Sequence, residues 1–319
     1  MPEPVATARP TSAEPGPRLS VRVGVGWNPF AGDGVADGRF WEAVETMEEV
    51  GYDSVWLADT AALPGAAPLP MLAAVAARTE RLKLGIGVLV LPPRNPVLLA
   101  RELATVDVIS GGRLLPAGGL GINIPAELEA MGVARGERVG RLEEAVEIVK
   151  ALWPGDPVTL SGRFWSLTDV RLEPRPVRRN LELWLGGRAP AALRRVGRIA
   201  DGWLASFVGP DEFEGMANVI RASAAEAGRS IDEDHYGATV FAAPSEDELP
   251  DAARRLLSRR PELAREDHIA YGTAELRSLF ERFRAAGATK FVAIPIATDL
   301  VPWLREMYVA SIEPFEATA

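Results

Sequence analysis

The chain contains no cysteine among its 319 residues and only two histidines, His235 and His268. The first absence excludes disulfides, thiolate metal sites and a cysteine nucleophile, and it fits a cytoplasmic protein. His235 follows Asp232, Glu233 and Asp234, and His268 follows Glu266 and Asp267; these positions read as a strand-entry loop and a surface loop. No metal site is expected from them. No G-x-S-x-G is present, so a serine hydrolase has little to rest on, and Ser110 in DVISGGR reads as a helix-ending turn residue. The spacing G-x-G-x-x-G after a first strand is missing as well, which removes a Rossmann reading. No apolar run approaches the ~18 residues of a membrane span. A net charge of −9 argues against a nucleic-acid surface. The arginine-rich stretches ALRRVGR and LLSRRPELAR are surrounded by acids and read as solvated helix faces.

What is present is apolar and periodic. With 47% hydrophobic and 25% charged residues the chain can bury a large core. Residues 1–20 mix Pro, Ala, Ser and Glu without an apolar centre and read as a disordered tail, which leaves 21–319 as one domain. Short Val-, Ile- and Leu-rich runs alternate there with longer amphipathic stretches, the signature of βα units around a parallel sheet. The strand candidates start at Val21, Ser54, Lys83, Arg113, Glu182, Gly202, Tyr236 and Lys290. Between them RFWEAVETMEEV places Phe40, Val44, Met47 and Val50 on one helix face, and RLEEAVEIVKALW does so with Leu142, Val146, Val149 and Trp153. The expected fold is an α/β, eight-stranded parallel (β/α) TIM barrel. Two connections, 122–139 and 153–180, exceed ordinary loops and are expected as insertion segments at the C-terminal mouth, the second with a hairpin or extended arm.

A parallel barrel places its chemistry at the C-terminal ends of its strands. That rule selects Asn28, Asp59, Thr60, Gly87, Val88, Gly119, Gly186 and Gly187. In LELWLGGRAPAAL a strand ends in two glycines and Pro190 opens a helix, so Gly186 and Gly187 read as a phosphate cradle or as a simple strand-to-helix turn. The glycines of GVGWN, LGIGVLV and GGLG read as a rim on which a flat ligand rests, or as a narrowing of the barrel. Core packing accounts for most tryptophans; Trp27, at the end of the first strand, is placed in the pocket.

Taken together, EEVGYDSVWLAD, TERLKLGIGVLVLPPRNPVLLARELATVDVISGGRLL, ERVGRLEEAVEIVKALWPGDPVTLSGRFWSLTDVRLEPRPV, LWLGGRAPAALRRVGRIADGW and GTAELRSLFERFRAAGATKFV resemble the bacterial luciferase-like family of flavin- and deazaflavin-dependent oxidoreductases. The resemblance implies a homodimeric barrel with coenzyme F420 or FMN at its mouth and a small-molecule substrate. It implies that a bulge at Gly87 and Val88, often with a cis peptide, backs the cofactor ring, and that Gly186, Gly187, Arg188 and Ala189 hold its phosphate. Coenzyme F420 implies hydride transfer, whereas FMN implies a monooxygenase fed by a separate reductase. Related dehydrogenases carry Asp-His where this chain has Asp59-Thr60, and Glu where it has Ile122, so the usual base and acid for alcohol oxidation are missing. Pro116 and Ala117 also depart from the family's Leu and Gly. Asp59 and Thr60 are the catalytic candidates, Asp59 having a loop-capping role as its alternative. A non-catalytic flavin-binding barrel and a phosphate-binding isomerase or lyase barrel share the fold.

Overall fold

The computed structural model describes residues 21–27, 34–59, 66–179 and 181–318. The tail 1–20, Asn28 and Thr60 lie outside the described residues. The strands are β1 Arg22–Gly26, β2 Ser54–Leu57, β3 Lys83–Val90, β4 Leu114–Gly119, β5 Val158–Ser161, β6 Ser166–Val170, β7 Trp184–Gly186, β8 Trp203–Ala205, β9 Tyr236–Ala243, β10 Ile269–Tyr271 and β11 Lys290–Pro295. Eight of them, β1, β2, β3, β4, β7, β8, β9 and β11, pair in parallel and close on themselves through β8–β9 and β11–β1. They are the eight read from the sequence, several shorter by one to three residues and β4 shifted by one.

The helices are α1 Arg39–Val50, α2 Pro68–Ala76, α3 Pro96–Ile109, α4 Pro125–Ala130, α5 Arg138–Leu152, α6 Pro190–Ile199, α7 Pro210–Glu226, α8 Asp251–Leu257, α9 Gly272–Ala285, α10 Leu300–Met307 and α11 Glu313–Ala317. Proline opens α2, α3, α6 and α7, where its missing N–H costs nothing. The expected faces are inward: Phe40, Val44 and Met47 of α1, and Leu142, Val146, Val149 and Trp153 along α5, are buried. Val50 is half-buried. Among the described residues no helix is long and apolar enough to cross a membrane.

The barrel interior is filled by aromatic side chains. Trp56, Ala117, Trp184, Leu204 and Val292 form a closed cluster inside it. Trp56 lies opposite Gly85 in the β2–β3 register, and its Nε1 donates to Ser54 Oγ at 2.9 Å. A Cβ on Gly24 or Gly85 would run into Trp56 or Ser54, and one on Gly202 into the Trp184 ring. The glycines of GVGWN and LGIGVLV, read as a rim for a ligand, are therefore in part clearance for indole rings.

The insertion segments correct the reading in one respect. Residues 122–139 follow β4 and lie at the mouth, as expected. Residues 153–180 follow α5, and a barrel helix runs antiparallel to the strands, so this segment departs from the opposite, N-terminal end. Its end is tied there: Val177 N–H donates to Asp107 near the end of α3, and Arg178 donates to the Leu114 carbonyl at the start of β4. The hairpin β5–β6 climbs beside α5, where Glu144 accepts the N–H groups of Arg163, Phe164 and Trp165.

A third insertion, between β9 and α9, was not read from the sequence. It carries α8 and β10 and supports a second apolar cluster of Phe241, Ala243, Leu249, Ala253, Leu257, Ile269 and Ile296. Arg260 in this segment is 5% exposed and donates to Phe207 O and Glu212; Arg195 of α6 is 8% exposed and donates to Glu143. These two arginines, expected on solvated faces, are buried connectors. His268, expected on a surface loop, is buried too, with Nδ1 against the Ala264 carbonyl at 2.9 Å.

Burial pushes the His268 imidazole below its ordinary value of 6.5. The folded protein thus holds it neutral at a pH where the unfolded chain already binds a proton. Its contribution to stability is complete above that value and is lost as the pH falls toward the folded one. Replacing His268 by Gln is expected to flatten the fall in Tm between about pH 7 and pH 5. Thermal melts across that range check this, and an unchanged slope would refute it.

Candidate active site

The mouth is built on the end of β3. Gly87 and Val88 are joined by a cis peptide, and the β3–β4 register shifts between Gly87 and Leu89. The shift turns the Val88 side chain inward. A Cβ on Gly119 would lie 2.7 Å from Val88 Cγ2, and one on Gly186 would lie 2.9 Å from Val88 Cγ1. Three strands therefore converge on the Val88 side chain, for which Gly119 and Gly186 make room. Gly87 sits just below, its missing Cβ 3.1 Å from Leu204 and 3.3 Å from Trp56. Val88, Gly119 and Gly186 are thus brought together as a small apolar seat, with Trp56 beneath Gly87.

Beside the seat the chain turns into α6. Gly187 has φ 129°, in the region that favours glycine, and its carbonyl accepts from Trp203 Nε1 at 2.8 Å. Gly187, Arg188, Ala189 and Pro190 are exposed. No side chain caps the helix at Ala189. An exposed, uncapped helix start with a glycine turn before it offers backbone N–H groups and the positive end of the helix dipole to an anion. The seat and the turn meet at Gly186.

Asp59 stands at the end of β2 but reaches across to β3. Its Oδ2 accepts from Val90 N–H at 2.9 Å and from Arg94 Nη2 at 2.9 Å, and its side chain is 15% exposed. The carboxylate fixes the strand end next to Val88. Trp27 does not lean over the seat: its ring packs edge-on against Phe40 of α1 at 5.0 Å, on the same side of β1 as Val23 and Val25. The alternation along β1 dictates this, because Gly24 and Gly26 take the inward positions.

Three residues at the mouth escaped the sequence reading. Ile294 of β11 faces inward, its Cγ1 2.8 Å from where a Gly26 Cβ would be. Phe241 shares the inward side of β9 with Gly237, whose Cβ would lie 3.1 Å from Leu204. Phe207, beyond β8, packs on Phe241 with ring centroids 5.6 Å apart. Counting alternate residues from Gly237 along β9 would have found Phe241, whereas β11 has no glycine from which to reach Ile294. Arg138, also missed, is 8% exposed and donates to the Leu120 and Gly121 carbonyls at 2.8 and 2.7 Å, which ties the insertion after β4 to the start of α5.

The mouth of this parallel barrel thus joins a small apolar seat at Val88 to an exposed, uncapped helix start at residues 187–190. The chain belongs to the luciferase-like monooxygenase family, whose model matches residues 28–296. It is 33% identical over 202 residues to an F420-dependent glucose-6-phosphate dehydrogenase from Microbacterium testaceum, a match covering 58% of each chain. It is 29% identical over 223 residues to 5,10-methylenetetrahydromethanopterin reductase from Archaeoglobus fulgidus, covering 69% of this chain and 65% of that one. The matches to the first curated relatives span just over half of those proteins' length. Among solved structures, monooxygenase RslO1 from Streptomyces bottropensis superposes with TM-score 0.77 over 92% of this chain and 99% of that one, at 22% identity. The relatives and neighbours include both F420-dependent oxidoreductases and a monooxygenase solved with FMN.

Proposed function

We propose that this protein is an oxidoreductase that binds coenzyme F420 at the barrel mouth and transfers a hydride to or from a small organic substrate. The observation that carries the reading is the junction at Gly186 between the Val88 seat and the uncapped start of α6. Val88, Gly119 and Gly186 would hold the flat ring, and Gly187, Arg188 and Ala189 its phosphate. The small residues fit that group through Val88: a Cβ at Gly119 or Gly186 would run into its side chain and displace the group proposed to back the ring. F420, when bound, supplies a two-electron hydride carrier. The preference for it over FMN rests on the relatives matched by sequence, whose names carry F420.

The chain's own residues position and shield. Asp59, tied to Val90 N–H and Arg94, keeps the end of β3 in place rather than moving a proton. Asn28 and Thr60 belong to the same proposed site; a threonine hydroxyl hydrogen-bonds but does not titrate near pH 7. With Thr60 and Ile122 in place of an acid–base pair, the reading favours reduction of an activated double bond or imine over alcohol oxidation. Titration of the purified chain with each cofactor, followed by absorbance after dialysis, tests this. Retention of F420 is the expected result; tight binding of FMN alone moves the assignment to an FMN monooxygenase, and binding of neither points to a non-catalytic barrel.

A further inference from the structure

The side of the mouth facing the Val88 seat has a chemistry of its own. Phe207, Phe241 and Ile294 form it, backed by the second apolar cluster of the insertion between β9 and α9. Phe207 and Ile294 are half-buried and so keep surface open, whereas Phe241 is 4% exposed. Phe207 is held in place from two directions. It adopts φ 55°, uncommon for a non-glycine residue, and its carbonyl accepts from Arg260 Nη1 at 2.6 Å. Arg260 is in turn fixed by Glu212 and Glu262. An aromatic ring kept half-open at a mouth by a buried, ion-paired arginine is a preorganised contact surface.

Among the described residues, Arg260 and Arg94 are already engaged, the first as described and the second with Asp59. Arg188 belongs to the turn assigned to the cofactor phosphate. A phosphate or carboxylate placed against this wall would lose its hydration without gaining a cation, which is costly, whereas burying a hydrocarbon ring there is favourable.

We infer that Phe207, Phe241 and Ile294 form the substrate wall, and that the substrate is neutral and largely hydrocarbon, a cyclic or aromatic ketone or enone, not a sugar phosphate. The inference rests on the proposed assignment of the Val88 side to the cofactor. It distinguishes this chain from the relative named for glucose 6-phosphate.

The test is calorimetric titration of the full chain, with and without cofactor, using 2-cyclohexenone, 1-tetralone and glucose 6-phosphate. Both ketones are expected to bind and the sugar phosphate is not. Phe207→Ala and Ile294→Thr should each weaken tetralone binding roughly five- to tenfold. Melting curves establish that each variant folds, and the two variants act at different strands. Cofactor affinity, measured separately by dialysis, should stay within about twofold of the parent. Tighter binding of glucose 6-phosphate than of either ketone overturns the inference, as does ketone binding that neither variant weakens. Failure to bind F420 or FMN refutes the cofactor reading alone, because the ketone titration of the unloaded chain still scores the wall.

Discussion

Gly85→Ala is expected to destabilise the protein by about 3 kcal/mol or more, the upper range of overpacking effects, although it adds a single methyl group. The methyl would enter the Trp56 ring, which lies directly opposite in the β2–β3 register. The ring has little room to move. Trp56 is 3% exposed, its Nε1 is committed to Ser54, Gly24 already gives way on its other side, and Trp184 and Leu204 occupy the rest of the interior. Denaturant unfolding of Gly85→Ala against the parent measures the effect. The double variant Gly85→Ala with Trp56→Leu should recover at least half of the loss relative to Trp56→Leu alone, since the clash disappears with the indole. A Gly85→Ala protein as stable as the parent would show that the interior is looser than these contacts imply.

Gly187→Val is expected to raise the cofactor Kd about thirtyfold or more, equivalent to ~2 kcal/mol at the turn. Two constraints act together. Gly187 holds φ 129°, which a β-branched residue adopts only under strain, and its Cβ would lie 2.8 Å from Ala192 Cβ in the first turn of α6. Relief of either moves the N–H groups of residues 187–189 away from the anion they are proposed to hold. Arg188→Ala should cost less, because it removes one exposed charge and leaves the backbone alone. Equilibrium dialysis with F420 gives both numbers. A Gly187→Val protein that folds and binds cofactor like the parent would detach the turn from the site.

Much of the fold was legible because every barrel strand is a short apolar run with helix-period sequence on either side, and burial on both faces leaves such a run little alternative. β10 was not legible: Ile269–Tyr271 is too short to stand out and pairs only with the upper half of β9. The glycines show the deeper limit. A glycine inside a strand reports that something large approaches the backbone, but not whether it is a ligand or a side chain. Gly85 answers to the Trp56 ring and Gly186 to the Val88 side chain, and only the folded strands reveal which partner each glycine makes room for. Asp59 was ambiguous for a related reason. Its partner Arg94 lies 35 residues away, on a different βα unit, so nothing local revealed that the carboxylate was taken. The direction of the 153–180 insertion was, by contrast, readable from the alternation of strands and helices.

The manner in which β9 is paired gives its two halves different tasks. Trp203, Leu204 and Ala205 of β8 pair with the first three residues of β9, and Ile269, Ala270 and Tyr271 of β10 pair with the last three. The base of the cylinder is thus sealed without any contribution from the segment between β9 and α9, while the rim on that side belongs to it. The ladders that close the base, β8–β9, β9–β11 and β11–β1, use none of residues 244–268. On the proposed assignment of the substrate wall, what backs the guest molecule is thus set apart from the half of the cylinder that holds the barrel closed.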